Sequence, residues 1–351
     1  MRFDQGFQDC KFYALGEGEK IHWLRGVLIQ VPHQENFPYG YTLYIPDQIH
    51  EQTTLIVEGS NVGETFSQLE EAKEKILKTG LYPSLPIFEI ANELGLPVLY
   101  PLFPRVWNGK ETIYNHMLAT NSLDETTSKL KEYQLDRVDL QLLNMVEDAR
   151  RRCKACGIKL DEKYIIDGFS ASAKFANRFA VLHPEAIKMC IAGGVSGILT
   201  LPAREYNGEK LLWPVGVGNI ETLIGEPYFD EKIEQFKQVK QVYYMGGQDN
   251  NNPFIFNEQG EPYFQGMINK DELEQVERIF GHTMEERWET AQKLYQQLGV
   301  DTSFYTYDNV GHDPRPARED ILLEIKAYLD MEKEKKKIDK PHYQKQFLSF
   351  W

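Results

Sequence analysis

One serine gathers the residue types that could do chemistry. Residues 164–185 read "YIIDGFSASAKFANRFAVLHPE". An apolar run closes at Asp167-Gly168, Ser170 follows two residues later, and small residues then open a helical pattern. A serine hydroxyl becomes a nucleophile only when a base takes its proton and an acid orients that base. Holding it at a strand-to-helix turn strains its backbone and crowds the positions two before and two after, which must be small. Gly168 and Ser172 meet that demand, and Ala171 and Ala173 keep the other neighbours small. The same turn aims the N–H of Ala171 at the space in front of the hydroxyl, where a helix N-terminus also favours negative charge. That N–H is expected to form half of an oxyanion hole. A second G-x-S, Gly194-Val195-Ser196, runs into "GILTLP", which gives no helix start, so Ser196 is set aside.

The base must come from eight histidines. His312, in "YDNVGHDPRP", is the one downstream of the serine in a Gly/Pro loop that follows a strand. His22 lies in a strand pattern, His183 precedes Pro184 at a helix end, and His282 precedes the helix-start pattern Thr283 to Glu286. His342 is in the tail, and His33, His50 and His116 are in loops upstream of the serine. For the acid, Asp249 in "YYMGGQDNNNP" closes the strand before last and gives the chain order Ser, Asp, His. Asp308 is its rival, reaching His312 only through a tight local bend, and Asp313 points away on the adjacent residue. The second oxyanion donor is expected from "EGSNVG", through the N–H of Ser60 or Asn61, with the Asn61 side chain as a further donor.

These groups need a scaffold that brings strand ends together. "KIHWLRGVLIQVP", "YGYTLYIP" and "TTLIVEG" read as strands, followed by a helical "ETFSQLEEAKEKILKTG" and a buried strand in "LGLPVLYPLFP". A long helix covers about residues 136–156, with Val138, Leu140, Leu142, Leu143, Val146 and Ala149 as its apolar stripe. "KYIIDG", "IKMCIAGG", "VKQVYYMGG" and "TSFYTYD" are further strands, alternating with the helices "AKFANRFAVLHP" and "AREDILLEIKAYLDMEK". Such alternation means an α/β fold with a mostly parallel sheet covered on both faces. Residues 1–335 read as one domain, with insertions at about 199–236 and 251–297, and 336–351 as a C-terminal tail. Both insertions are rich in aromatics (Tyr206, Trp213, Tyr228 and Phe229 in the first; Phe254, Phe256, Tyr263 and Phe264 in the second), as lids over a site or as packing on the core.

Composition narrows the partners. The 351 residues hold 39 Lys and Arg against 53 Asp and Glu, a formal charge of -14 that repels phosphate backbones and anionic lipid. Nucleic acid and membrane are therefore not expected as partners. No apolar run reaches the length of a membrane span, and the first residues carry no apolar signal-peptide core, so a cytoplasmic location is expected. Cys10, Cys153, Cys156 and Cys190 are too scattered for a disulfide framework. The pair Cys153 and Cys156 lacks a second pair for zinc and ends a helix rather than starting one, with Gly157 as its cap. "GEGEK" at 16–20 and "GVGNIE" at 216–221 lack the third glycine of a dinucleotide fingerprint and read as turns.

Taken together, "DGFSASAKFANRFAVLHPE", "IAGGVSG", "LYPLFPR" and the Asp249 and His312 loops resemble the α/β-hydrolase superfamily, in particular serine esterases of the polyhydroxybutyrate-depolymerase and feruloyl-esterase type. The likeness runs from about residue 53 to 330. It implies a mostly parallel sheet of about eight strands, Ser170 as nucleophile, His312 as base and Asp249 as acid, with no metal and no organic cofactor. Two departures stand out: Ser172 replaces a glycine, and "EGSN" replaces the H-G-G-type oxyanion turn, with Glu58 where a histidine often stands. The expected reaction is hydrolysis of a small-molecule carboxylic ester through an acyl-enzyme. Amide or peptide hydrolysis by the same triad, and a non-catalytic ligand-binding protein on this fold, are the alternatives. The oligomeric state, a homo-oligomer included, is left open.

Overall fold

The structure is a computed structural model that describes residues 5–15, 24–61, 65–66, 68, 71, 86–107, 109–124, 128–254 and 268–338. Its centre is a nine-stranded sheet: β1 (Lys11–Leu15), β2 (Gly26–Val31), β3 (Tyr41–Pro46), β4 (Ile56–Glu58), β5 (Val98–Pro101), β6 (Tyr164–Phe169), β7 (Ile187–Gly193), β8 (Lys240–Gly246) and β9 (Thr302–Tyr307). The spatial order is β1-β2-β3-β5-β4-β6-β7-β8-β9. The pairs from β5 through β9 are parallel, and the first three pairs are antiparallel. The sheet is thus mostly parallel, as expected, with one strand more than the sequence indicates. That strand is β1, an edge strand whose Phe12 is exposed, so its short sequence carries no burial pattern to betray it.

Strands β6 and β7 are buried on both faces along their whole length, which is why they read as unbroken apolar runs. Helices α1 (Pro86–Leu94) and α7 (Arg318–Ile338) pack one face, around Phe88, Ile90, Ile321 and Ile325. The other face carries α2 (Val138–Ala155), α3 (Ala171–Leu182), α4 (Asp230–Gln238), α5 (Lys270–Phe280) and α6 (Met284–Gln297). The start expected at Thr283 is realised as a capping box, with Thr283 Oγ1 accepting the Glu286 N–H and the Glu286 carboxylate accepting the Thr283 N–H. On α2 the buried stripe is Val138, Leu142, Met145, Val146, Ala149 and Cys153, while Leu140 is exposed. Two residues from Val138 is about 200° around a helix, so Leu140 belongs to the opposite face.

Two further readings change. In "TTLIVEG" the main-sheet strand is only Ile56–Glu58, and Thr53 pairs instead with Leu160 in a separate two-residue ladder. Within the first insertion, Trp213 and Tyr228 are buried and donate to the carbonyls of Leu118 and Val181, while Phe229 is exposed. Phe254 in the second insertion is also buried. The turn at 16–20, His22, Phe256, Tyr263, Phe264, residues 339–351 of the tail with His342 and most of the helix expected after Val62 lie outside the described residues, and its described start, Thr65–Phe66, is a short strand paired with Arg105–Val106. No helix among the described residues is long and apolar enough to cross a membrane.

Candidate active site

Ser170 sits between β6 and α3 with φ 64° and ψ −116°, a conformation that a side chain with a Cβ adopts only under strain. The crowding expected of that turn is present. A Cβ on Gly168 would lie 2.3 Å from the Ser172 carbonyl oxygen, and one on Gly59 would lie 2.9 Å from Ser172 Cβ. Ser172 does more than stand in for a glycine. Its Oγ accepts the Phe169 N–H at 2.9 Å and lies 2.9 Å from the Phe169 carbonyl oxygen, which ties the elbow to itself. The cost of the strained turn is thereby offset by a local, buried hydrogen-bond pair.

The expected acid and base lie on the loops that extend β8 and β9. The N–H groups of Gly247 and Gln248 donate to the carbonyls of Tyr307 and Val310, which zips the two loops together beyond the sheet. His312 Nδ1 meets Asp249 Oδ2 at 2.8 Å, and the Asp249 side chain is buried. The His312 ring lies 4.5 Å from the Phe169 ring, and a Cβ on Gly194 would come within 2.9 Å of His312 Cε1. Asp308 has no contact with His312, and Asp313 pairs with Arg315 instead. None of the other described histidines bonds Asp249: His183 bonds Asp139, His282 stands beside Glu277, His116 is buried near Tyr114, and His33 and His50 are exposed.

One residue that sequence reading passed over stands between nucleophile and base. Asn251 Nδ2 lies 3.0 Å from His312 Nε2 and 3.4 Å from Ser170 Oγ. An amide N–H can only donate, so His312 Nε2 accepts and Nδ1 carries the proton given to Asp249. That is the tautomer in which Nε2 can later receive a proton from a serine. Asn251 is fixed in turn: its N–H donates to Asp249 Oδ1 and its carbonyl accepts from Ser196 Oγ at 3.1 Å. Ser196, set aside as a nucleophile, is buried at φ 59° and serves as this anchor. The available signal was the run "DNNNP", which opens on the acid and of which the site uses Asp249 and Asn251.

The expected oxyanion donors separate. Asn61 N–H donates to Tyr100 Oη at 3.2 Å and Asn61 Nδ2 to the Phe169 carbonyl at 3.2 Å, so both its donors have partners. Ser60 Oγ donates to the Phe103 carbonyl, and the N–H groups of Ser60 and Ala171 have no partner among the described residues. Beneath the elbow, the parallel register of β4 and β6 sets Glu58 opposite Asp167. Burial, then the neighbouring carboxyl, pushes Glu58 well above the usual carboxylate range, and burial also raises Asp167. The pair therefore keeps a proton where an ordinary carboxylate would lose it.

A scan against protein-family models and a search of curated proteins each find no match. Solved structures do match. The chain superposes on LpqC, a poly(3-hydroxybutyrate) depolymerase from Bordetella parapertussis, with a TM-score of 0.52 at 16% identity, covering 85% of this chain and 89% of that one. Poly(aspartic acid) hydrolase-1 from Sphingomonas sp. KT-1 gives 0.50 at 15% identity, covering 88% and 96%. With the strand order above, the chain has the α/β-hydrolase fold.

Proposed function

We propose that this chain is a serine esterase that cleaves carboxylic esters through an acyl-enzyme on Ser170. Ser170 Oγ attacks the ester carbonyl carbon as His312 Nε2 takes its proton, and Asp249 stabilises the imidazolium. The carbonyl oxygen becomes an oxyanion received by the N–H groups of Ala171 and Ser60, each such donor worth about 3–4 kcal/mol in a transition state. Collapse breaks the C–O bond, and the imidazolium hands its proton to the departing alkoxide. Water then attacks the acyl carbon, with His312 as base, and the acid leaves with Ser170 regenerated. No step calls for a metal or an organic cofactor.

The observation that carries this reading is the buried Asp249 held 2.8 Å from His312 Nδ1, at the same strand ends as a positive-φ serine. A fluorophosphonate probe tests it: the native protein should label and Ser170→Ala should not. Turnover of aryl esters but not of aminoacyl anilides then separates ester from amide chemistry. A second reading, ligand binding without turnover, draws on Asn251, which fills the place at His312 Nε2 that the Ser170 hydroxyl needs. Failure of the native protein to label would favour it.

A further inference from the structure

We infer that Arg105, His116 and Lys174 receive an anionic group of the substrate, so that the ester taken at Ser170 carries a carboxylate or a phosphate. The inference starts from where buried cations find partners. Arg137, Arg152 and Lys188 are buried and each bonds carboxylates. Lys174 and Arg287 are as buried and bond none among the described residues. Among the described residues, no carboxylate bonds Lys174, Arg105 or Arg287. A buried cation without a counterion is strongly disfavoured unless something else supplies the charge.

The three groups are under-satisfied in different ways. Lys174 makes a single hydrogen bond, 3.4 Å long, to the neutral Ser196 hydroxyl. The Arg105 side chain makes no hydrogen bond or ion pair among the described residues; its guanidinium lies 5.9 Å from the centre of the Tyr114 ring, and its Nε is buried without a partner there. His116 is 1% exposed and its Nδ1 has no partner. They act on one another: burial, then the charges of Arg105 and Lys174, holds the His116 imidazole down to about 3. Burial likewise pushes the Lys174 ammonium down to about 7, the shift that an adjacent anion reverses. Asp249, whose charge reaches Lys174, is bonded to His312, and Glu272, whose charge reaches the neighbouring Arg178, bonds Thr120 and Asn269.

The cluster belongs to the nucleophile's surroundings. Lys174 is one helical turn beyond Ser170, and its partner Ser196 holds Asn251, which touches both Ser170 and His312. Arg105 follows Phe103, whose carbonyl accepts from Ser60 beside the oxyanion loop, and Asn115 Nδ2 donates to the intervening Pro104 carbonyl. Lys174 and Arg105 thus belong to the segments that carry Ser170 and hold Ser60.

The inference rests on the esterase reading for its kinetic arm and stands without it for its binding arm. In the binding arm, glutarate and inorganic phosphate are added to the native protein and to Arg105→Gln at constant ionic strength, with dimethyl glutarate as the neutral control, and unfolding temperature is read. One or both anions should raise it in the native protein and not in Arg105→Gln, and which of them does so names the group; no anion-dependent rise overturns the inference whatever the esters do. In the kinetic arm, the p-nitrophenyl monoester of glutaric acid is compared with p-nitrophenyl valerate, and a phosphate-bearing aryl ester with its neutral counterpart. The favoured anionic ester should lead in kcat/KM by tenfold or more, mainly through KM, and that ratio should collapse in Arg105→Gln and again in Lys174→Met. Binding without a kinetic preference would overturn the substrate assignment. Total absence of turnover with a retained anion shift would sink the esterase reading and leave the anion site standing.

Discussion

At the amino end and flanks of the sheet, Arg152 lies between Asp9 and Asp148, Lys188 between Asp161 and Glu332, and Asp139 between Arg137 and His183. Around Ser170 the pattern reverses. Glu58 faces another carboxyl, Lys174 faces a hydroxyl, and Arg105 faces an aromatic ring. Removing charge from water is unfavourable in both regions, but only in the first does the fold itself return the missing interactions. In the second, a uniform hand on stability would have placed partners, and the chain carries strain at Ser170 as well. Groups left short of partners beside a strained serine are poised to act on something that arrives from outside.

That division can be broken most sharply at two aspartates of similar burial. Asp249→Asn should lower kcat by about 10⁴, because the amide imposes the wrong His312 tautomer, while leaving the unfolding temperature nearly unchanged. Asp139→Ala should do the opposite. It removes the buried carboxylate shared by Arg137 and His183, leaving them only the half-exposed Glu226 and Glu185, and should cost about 3–5 kcal/mol in a denaturant melt, with the folded fraction labelling Ser170 at the native rate. If Asp249→Asn loses stability on that scale and activity only in proportion, the two regions are not different in kind.

A smaller effect sharpens the contrast through pH. Glu58 and Asp167 hold their protons more tightly folded than unfolded, where carboxyls titrate at about 4. Between that value and the raised folded values the native state binds more protons than the unfolded one, so stability falls as pH rises. Asp139 behaves oppositely: it is held well below its ordinary range, by its bonds to His183 and Arg137 against the cost of burial, and its contribution is lost as pH falls. Glu58→Gln should flatten the alkaline-side decline in denaturant melts taken from about pH 4 to 9. An unchanged slope would place the raised proton affinity somewhere other than this pair.

The paired and unpaired regions were also unequally legible in the sequence. The elbow, the acid and the base are each fixed by a short local pattern: a glycine and a small residue about Ser170, and polar residues directly after the apolar runs of β8 and β9. The mostly parallel sheet follows from alternation, and nearly every strand lies where its apolar run does. What sequence did not disclose depends on segments meeting from a distance. The helix "AKFANRFAVLHP" carries no sign in its own residues that α3 is buried nearly all round, with Lys174, Asn177 and Arg178 inside. Ser196 reads as a chance G-x-S and proves to be an anchor for Asn251. Glu58 and Asp167 are more than a hundred residues apart, and only the register of β4 against β6 makes them neighbours.

The finest effect is expected at Asn251, which belongs to neither region cleanly. Its amide satisfies His312 Nε2 in the free protein, and attack by Ser170 requires that same lone pair. Forming the productive Ser170–His312 bond therefore means giving up an existing one, of net worth about 0.5–1.5 kcal/mol. Asn251→Ala removes the competitor without touching the bond between Asp249 and His312. Fluorophosphonate labelling should then quicken by about two- to tenfold, since the surrendered free energy no longer adds to the barrier. Asn251→Asp should label more slowly than native, because a carboxylate beside Nε2 favours the protonated imidazole that cannot accept the serine proton. Slower labelling in Asn251→Ala would mean that the amide holds His312 in place rather than competing for it, and Asn251 would then join Asp249 among the groups that position the base.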